Sequence, residues 1–452
     1  MKEPARTIAL AALLLIAFGC AMTGWHTVMQ KETFCGRITT LVEKIGLHHS
    51  DRLPNQQGQW AYEPINNGTM TRWDAEHYKA IKQHLYNPKE EWEGDFAFFP
   101  LFPLTWRVSA LDSIGISLFN YLIFTVGVIL LLLCFDQRQP WTPFLALCLP
   151  CLTPFMVPYS ESLFFAFAAL GIYGYRRRNY WLYFAGFALA AMTRAAGTLM
   201  IAAWIATDIV VAVGNKSSWR TAAATMLRHL LPVVVGIMTV VIIQRLCGAE
   251  HWLEYPLAQR HWGKSLSLPS WPLTDWSEEG SSITKPLIFA YFVPCIAYLA
   301  LLLWRGLRGK ENRQYDERET LRIFCLMLFA GNITLALLTQ HGCMYSMARL
   351  LTSTPFFLYL LIDLSLSKSR RWQRMMVLCL VMAVALTFHQ MFGKVSQQGI
   401  WLFVLLSLIV VYGQRLPALA RIMLIAVTVA FNLFWTTYLF NAYLHGTWIF
   451  IG

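Results

Sequence analysis

Charge is what this chain has least of. Asp, Glu, Lys and Arg make up 14% of its 452 residues, against 56% hydrophobic. That excludes one aqueous core and makes lipid the main solvent. Cysteine is scattered: Cys20, Cys134, Cys148, Cys325 and Cys379 sit within apolar runs without histidine partners, so neither a zinc site nor a disulfide framework follows. Internal repeats, low-complexity tracts and a soluble domain are also missing. The expectation is a single integral membrane domain over 1–452.

The formal charge of +12 does not call for nucleic acid. Arg176 to Arg178, and Lys368, Arg370, Arg371 and Arg374, occupy short gaps between apolar runs, which is how positive charge sets membrane topology. Thr7 to Met29 is long enough to span, and Phe18 and Gly19 before Cys20 do not make a cleavage site, so the segment reads as a retained helix. Lys2 and Arg6 put its start inside.

A span needs roughly 20 apolar residues. Further spans are expected near 115–135, 141–158, 160–175, 180–196, 198–213, 229–246, 285–304, 322–340, 349–366, 375–392, 399–413 and 418–440, about thirteen helices in all. The segment from Phe96 to Leu111 decides the count. If it crossed, the Arg176 and Lys368 clusters would lie outside. If it only dips into the interface, with Pro100 and Pro103 breaking a regular helix, every basic loop falls inside. The outer face then carries a large first loop over 30–114, a second over 247–284, Tyr159 to Glu161, Arg194, 340–349 and the end of the chain from Asn441.

The first loop holds Arg72-Trp73-Asp74-Ala75-Glu76-His77-Tyr78 and then Phe96-Ala97-Phe98-Phe99-Pro100-Leu101-Phe102-Pro103. Trp60, Trp73, Trp92 and the phenylalanines prefer a membrane interface, and Trp73 and Tyr78 are expected to anchor a short amphipathic helix among headgroups. A carboxylate there can take a proton from an incoming hydroxyl, although loop acids are also often merely solvated. Arg194 and Arg349 each interrupt an apolar stretch near the outer boundary, where an arginine usually has a carboxylate or phosphate partner or snorkels to the surface. Two such forks make a phosphate site plausible. Glu161 caps the next helix or pairs with Arg194. The aromatic second loop, with His251, Trp252, Tyr255, His261, Trp262, Trp271 and Trp276, reads mainly as an interfacial belt.

These motifs resemble those of GPI mannosyltransferase 2, the PIG-V family. The likeness rests on Trp73 to Tyr78 followed by Phe96 to Pro103, on Tyr159-Ser160-Glu161, on Thr193-Arg194-Ala195-Ala196-Gly197, and on Arg349, Leu351, Ser353 and Pro355. Ala195 and Ala196 depart from the Ser-Asn-Gly of eukaryotic members. The resemblance implies a class C glycosyltransferase fold that uses a polyprenyl-phosphate sugar donor, transfers mannose with inversion to a glycan or glycolipid acceptor, and needs no cofactor. It makes Asp74 the base, with Trp73, Glu76 and His77 completing the catalytic candidates. The substrate-binding candidates are Arg194 for the donor phosphate, Arg349, Glu161, Tyr159, Phe99 and Pro100. The expected setting is a bacterial cytoplasmic membrane with the site outside, or the ER membrane in a eukaryote. A transporter or flippase of lipid-linked sugars is the alternative, but matching halves, common in such proteins, are missing.

Overall fold

The computed structural model describes residues 2–31, 62–86, 93–136, 139–262, 265–266, 284–307, 314–339, 346–367, 370–387 and 399–446. Trp60, Trp92, Trp271, Trp276 and Lys368 lie outside them. Every regular element among the described residues is helical: α1 (Lys2–Met29), α2 (Asp74–His84), α3 (Leu101–Ser109), α4 (Ser113–Leu133), α5 (Glu161–Arg176), α6 (Tyr180–Thr193), α7 (Leu199–Gly214), α8 (Trp219–Leu246), α9 (Thr284–Leu307), α10 (Glu317–Thr339), α11 (Met347–Thr352), α12 (Pro355–Ser365), α13 (Arg370–Thr387), α14 (Gly399–Tyr412) and α15 (Ala418–Leu444), with shorter turns between.

The protein is an integral membrane protein. Among the described residues, six stretches are long and apolar enough to cross a bilayer: Arg6–Met29, Ser113–Leu133, Ala195–Gly214, Trp219–Leu246, Glu317–Thr339 and Ala418–Leu444. Others expected to span are shorter, such as Tyr180–Thr193, Pro355–Ser365 and Gly399–Tyr412, so the count of thirteen is not reached by length and composition.

The expected helix over 141–158 does not form. Only Phe144–Leu147 and Thr153–Phe155 are helical there, because Pro143, Pro150, Pro154 and Pro158 remove N–H donors at short intervals. The broken strand of chain is nonetheless buried, and side chains bind its backbone oxygens. Asn120 Nδ2 donates to Val157 O at 2.8 Å and Tyr159 O at 2.9 Å. Asn432 Nδ2 donates to Leu147 O at 2.6 Å and Leu149 O at 3.0 Å, Trp435 Nε1 to Pro150 O at 3.2 Å, and Ser353 Oγ to Cys151 O at 2.8 Å. Irregular backbone is tolerated at membrane depth only with such partners. Cys148 and Cys151, a Cys-x-x-Cys spacing that the reading of scattered cysteines passes over, are buried free thiols in this segment.

The segment closes a topological circuit. Helices α4 and α5 run parallel: Arg176 Nε at the end of α5 donates to Cys134 O just past α4, at 3.2 Å. The chain over 134–160 must therefore return across the bundle before α5 begins. Glu161 starts α5 and Arg176 ends it, roughly 22 Å apart at 1.5 Å per residue. Around Arg176 gather Asp136, Glu317 and Arg178. Arg176 and its partners thus mark one end of the bundle, and Glu161 belongs to the other.

The segment after Phe96 also differs from expectation. Pro100 precedes α3 and Pro103 lies in its first turn, where a missing N–H costs no helical bond. A regular helix of 9 residues forms, about 14 Å long and too short to cross.

Candidate functional site

Asp74 is the first residue of α2. Trp73 before it has φ 54° and ψ −125°, a backbone region that normally belongs to glycine, and strain of this kind persists only where surroundings enforce it. Tyr443 of α15 supplies part of that enforcement: its hydroxyl donates to Met70 O at 2.8 Å and accepts from Arg72 N at 3.2 Å. Tyr78, one turn along α2, is buried and shares a 2.7 Å hydrogen bond with Ser160 Oγ. Burial pushes its phenol above the ordinary range, so it stays protonated. Tyr78 is thus a bolt between α2 and the start of α5 rather than the expected headgroup anchor. Trp73 remains 39% exposed.

The bolt brings four charged groups together. Arg349 Nη2 donates to Asp74 Oδ2 at 2.6 Å, its Nε donates to Glu161 Oε1, and Arg194 Nη1 pairs with the same Glu161 oxygen. The order is Asp74, Arg349, Glu161, Arg194, alternating in sign. Glu161 is fully buried and Arg349 nearly so, whereas the side chains of Asp74 and Arg194 keep 15% and 13% of their exposure. The guanidinium carbon of Arg349 lies 4.5 Å from the Tyr159 ring centre, and Tyr159 meets Tyr443 edge to face at 5.7 Å. Both arginines are therefore ion-paired. Asp74 Oδ1 takes no hydrogen bond among the described residues.

Local sequence explains each placement. Arg194 sits in extended backbone where α6 stops, followed by a tight turn over Ala195–Thr198. A Cβ on Gly197 would stand 2.8 Å from Ala191 Cα, so only glycine lets this turn fold back on α6. Arg349 lies in α11, and the chain breaks again before Pro355 starts α12. The helix expected over 349–366 is thus two pieces, and the break sets Arg349 at the rim.

Other candidates lie around this cluster. Glu76 is exposed on α2, since residues two apart on a helix do not share a face. His77 Nδ1 is 2.8 Å from Asp95 Oδ1 and its ring stacks on Phe98 at 4.7 Å. Phe99 is 1% exposed and packs edge to face on Tyr255 at 5.1 Å, while Pro100 is buried beside it. Gln244 Nε2 donates to Phe96 O at 2.8 Å. The phenylalanine run thus ties the first loop to the second. Sequence reasoning missed Asp95 and Tyr443. Asp95 directly precedes the phenylalanine motif, and Tyr443 carries no local signal.

Whole-sequence comparison points the same way as the motifs. The chain is 33% identical to human GPI alpha-1,6-mannosyltransferase 2 over 156 residues, 30% of each chain. It is 27% identical to the protein of that name from Rattus norvegicus over 277 residues, 54% of each chain, and 26% identical to that from Cricetulus griseus over the same extent. The chain is thus similar to proteins named GPI alpha-1,6-mannosyltransferase 2 over part of its length. It spans about half the length of the curated proteins it matches over the longer alignments. No family model and no solved structure matches it.

Proposed function

We propose that this protein is a membrane glycosyltransferase that moves a mannosyl residue from a polyprenyl-phosphate donor to a hydroxyl of a membrane glycolipid, with inversion, on the extracytoplasmic side. The observation that carries the reading is the alternating cluster of Asp74, Arg349, Glu161 and Arg194 at the end of the bundle opposite Arg176. The likeness to mannosyltransferases supports the sugar.

Asp74 Oδ1 accepts the proton of the acceptor hydroxyl as its oxygen bonds to the anomeric carbon. The bond from that carbon to the phosphate oxygen breaks, and the lipid phosphate leaves with the electron pair. Arg194 receives the phosphate, since it is the more accessible arginine and meets Glu161 through Nη1. Arg349 acts as a positioning residue, because its Nη2, its Nε and one face are engaged by Asp74, Glu161 and Tyr159. Such fixed charges act strongly in a site that excludes water.

The test is purified full-length protein given polyprenyl-phosphate mannose and a panel of membrane glycolipids. Donor consumption coupled to a new mannosyl product supports the reading. Movement of the donor across vesicles without consumption identifies a transporter instead.

A further inference from the structure

At the opposite end of the bundle from Asp74, a cavity of about 70 Å³ lies between α9, α10, α12 and α13. It runs from Arg322 and Asp363 to Phe329 and Phe357, about 10 Å along α10. A single water needs roughly 10–15 Å³ and several polar partners. This space is several times larger, and away from its charged end it is walled by aromatic and aliphatic side chains. The other end has the reverse character: Arg322 and Asp363 line it, and Arg318, just outside the lining, shares the Asp363 carboxylate with Arg322, so two arginines and one carboxylate leave one net positive charge there. The helices that frame the cavity present Val293 and Ile296 on α9, and Leu378 and Val381 on α13, as exposed apolar residues, so this flank faces lipid.

We infer that this cavity binds one acyl chain of an anionic phospholipid from the leaflet opposite the Asp74 cluster, with the phosphate at Arg318. Long apolar space, exposed apolar faces on the flanking helices and a cationic end fit that one occupant. Arg318 is the reachable contact, since its side chain is 33% exposed and so can turn toward a headgroup while Arg322 keeps Asp363.

The full chain is reconstituted in vesicles of equimolar phosphatidylcholine and phosphatidylglycerol, extracted gently and weighed by native mass spectrometry. One retained phosphatidylglycerol per chain is expected. Leu361→Trp, which fills the cavity, removes it. Arg318→Gln lowers the preference for phosphatidylglycerol about fivefold, the worth of one arginine beside an anionic headgroup, and provides the readout if the tryptophan variant fails to fold. Equal retention of both lipids by the unsubstituted protein, undiminished retention in the variants, or a polyprenyl chain in place of the phospholipid overturns the assignment.

Discussion

Arg349 holds Asp74 through Nη2 and Glu161 through Nε at once. A lysine ammonium has no planar fork with which to do this. Arg349→Lys is therefore expected to reach the membrane but lose transfer by about tenfold or more, since a charge-assisted hydrogen bond is worth about 1.5–3 kcal/mol. Equal turnover by this variant removes Arg349 from the positioning role.

Glu161 is the buried hinge of the cluster. Glu161→Ala leaves two arginines without their shared carboxylate, and breaking a buried pair in this way costs about 3–5 kcal/mol. Thermal unfolding of the purified variant should show a clearly lower midpoint, and an unchanged midpoint would mean that the pairing carries no stability.

Arg194→Ala is expected to raise the KM for polyprenyl-phosphate mannose by about 10- to 100-fold, the loss of one charge-assisted contact, with a smaller change for the acceptor. A donor KM equal to that of the unsubstituted protein would show that the phosphate is held elsewhere.

Asp112 links the first loop to α4. Its Oδ1 accepts from Gly115 N at 2.7 Å and its Oδ2 from Asn67 Nδ2 at 3.1 Å. The Gly115 bond first, then Asn67, holds its carboxyl below the usual range. A depressed folded value means that the tether is fully present above the ordinary aspartate range and is lost as pH falls through the depressed value. Hydrogen-exchange protection of residues 66–71, taken relative to the intrinsic rate at each pH, should fall below that range, and Asp112→Ala should show the lower protection already at neutral pH.

The hydrophobic runs made most helices legible, because apolar length is written locally. Arg176, Arg178 and Glu317 do meet at one end of the bundle. The broken segment over 141–158 was not legible: hydropathy reports burial but not conformation, and the partners of its carbonyls, Asn432 and Trp435, lie far away in α15. In the cluster, Asp74, Glu161, Arg194 and Arg349 each stood out as a charge beside apolar sequence. Their order did not, because the sequence offered phosphate and carboxylate equally as partners for the arginines. The strain at Trp73 and its Tyr443 brace depend on tertiary contact alone.

Donor consumption by Asp74→Asn, beside the unsubstituted protein at matched expression, tests the central claim most directly. The account predicts transfer lower by about 10²- to 10⁴-fold, the usual worth of a general base, with insertion and folding preserved. Full transfer by the asparagine variant would contradict it.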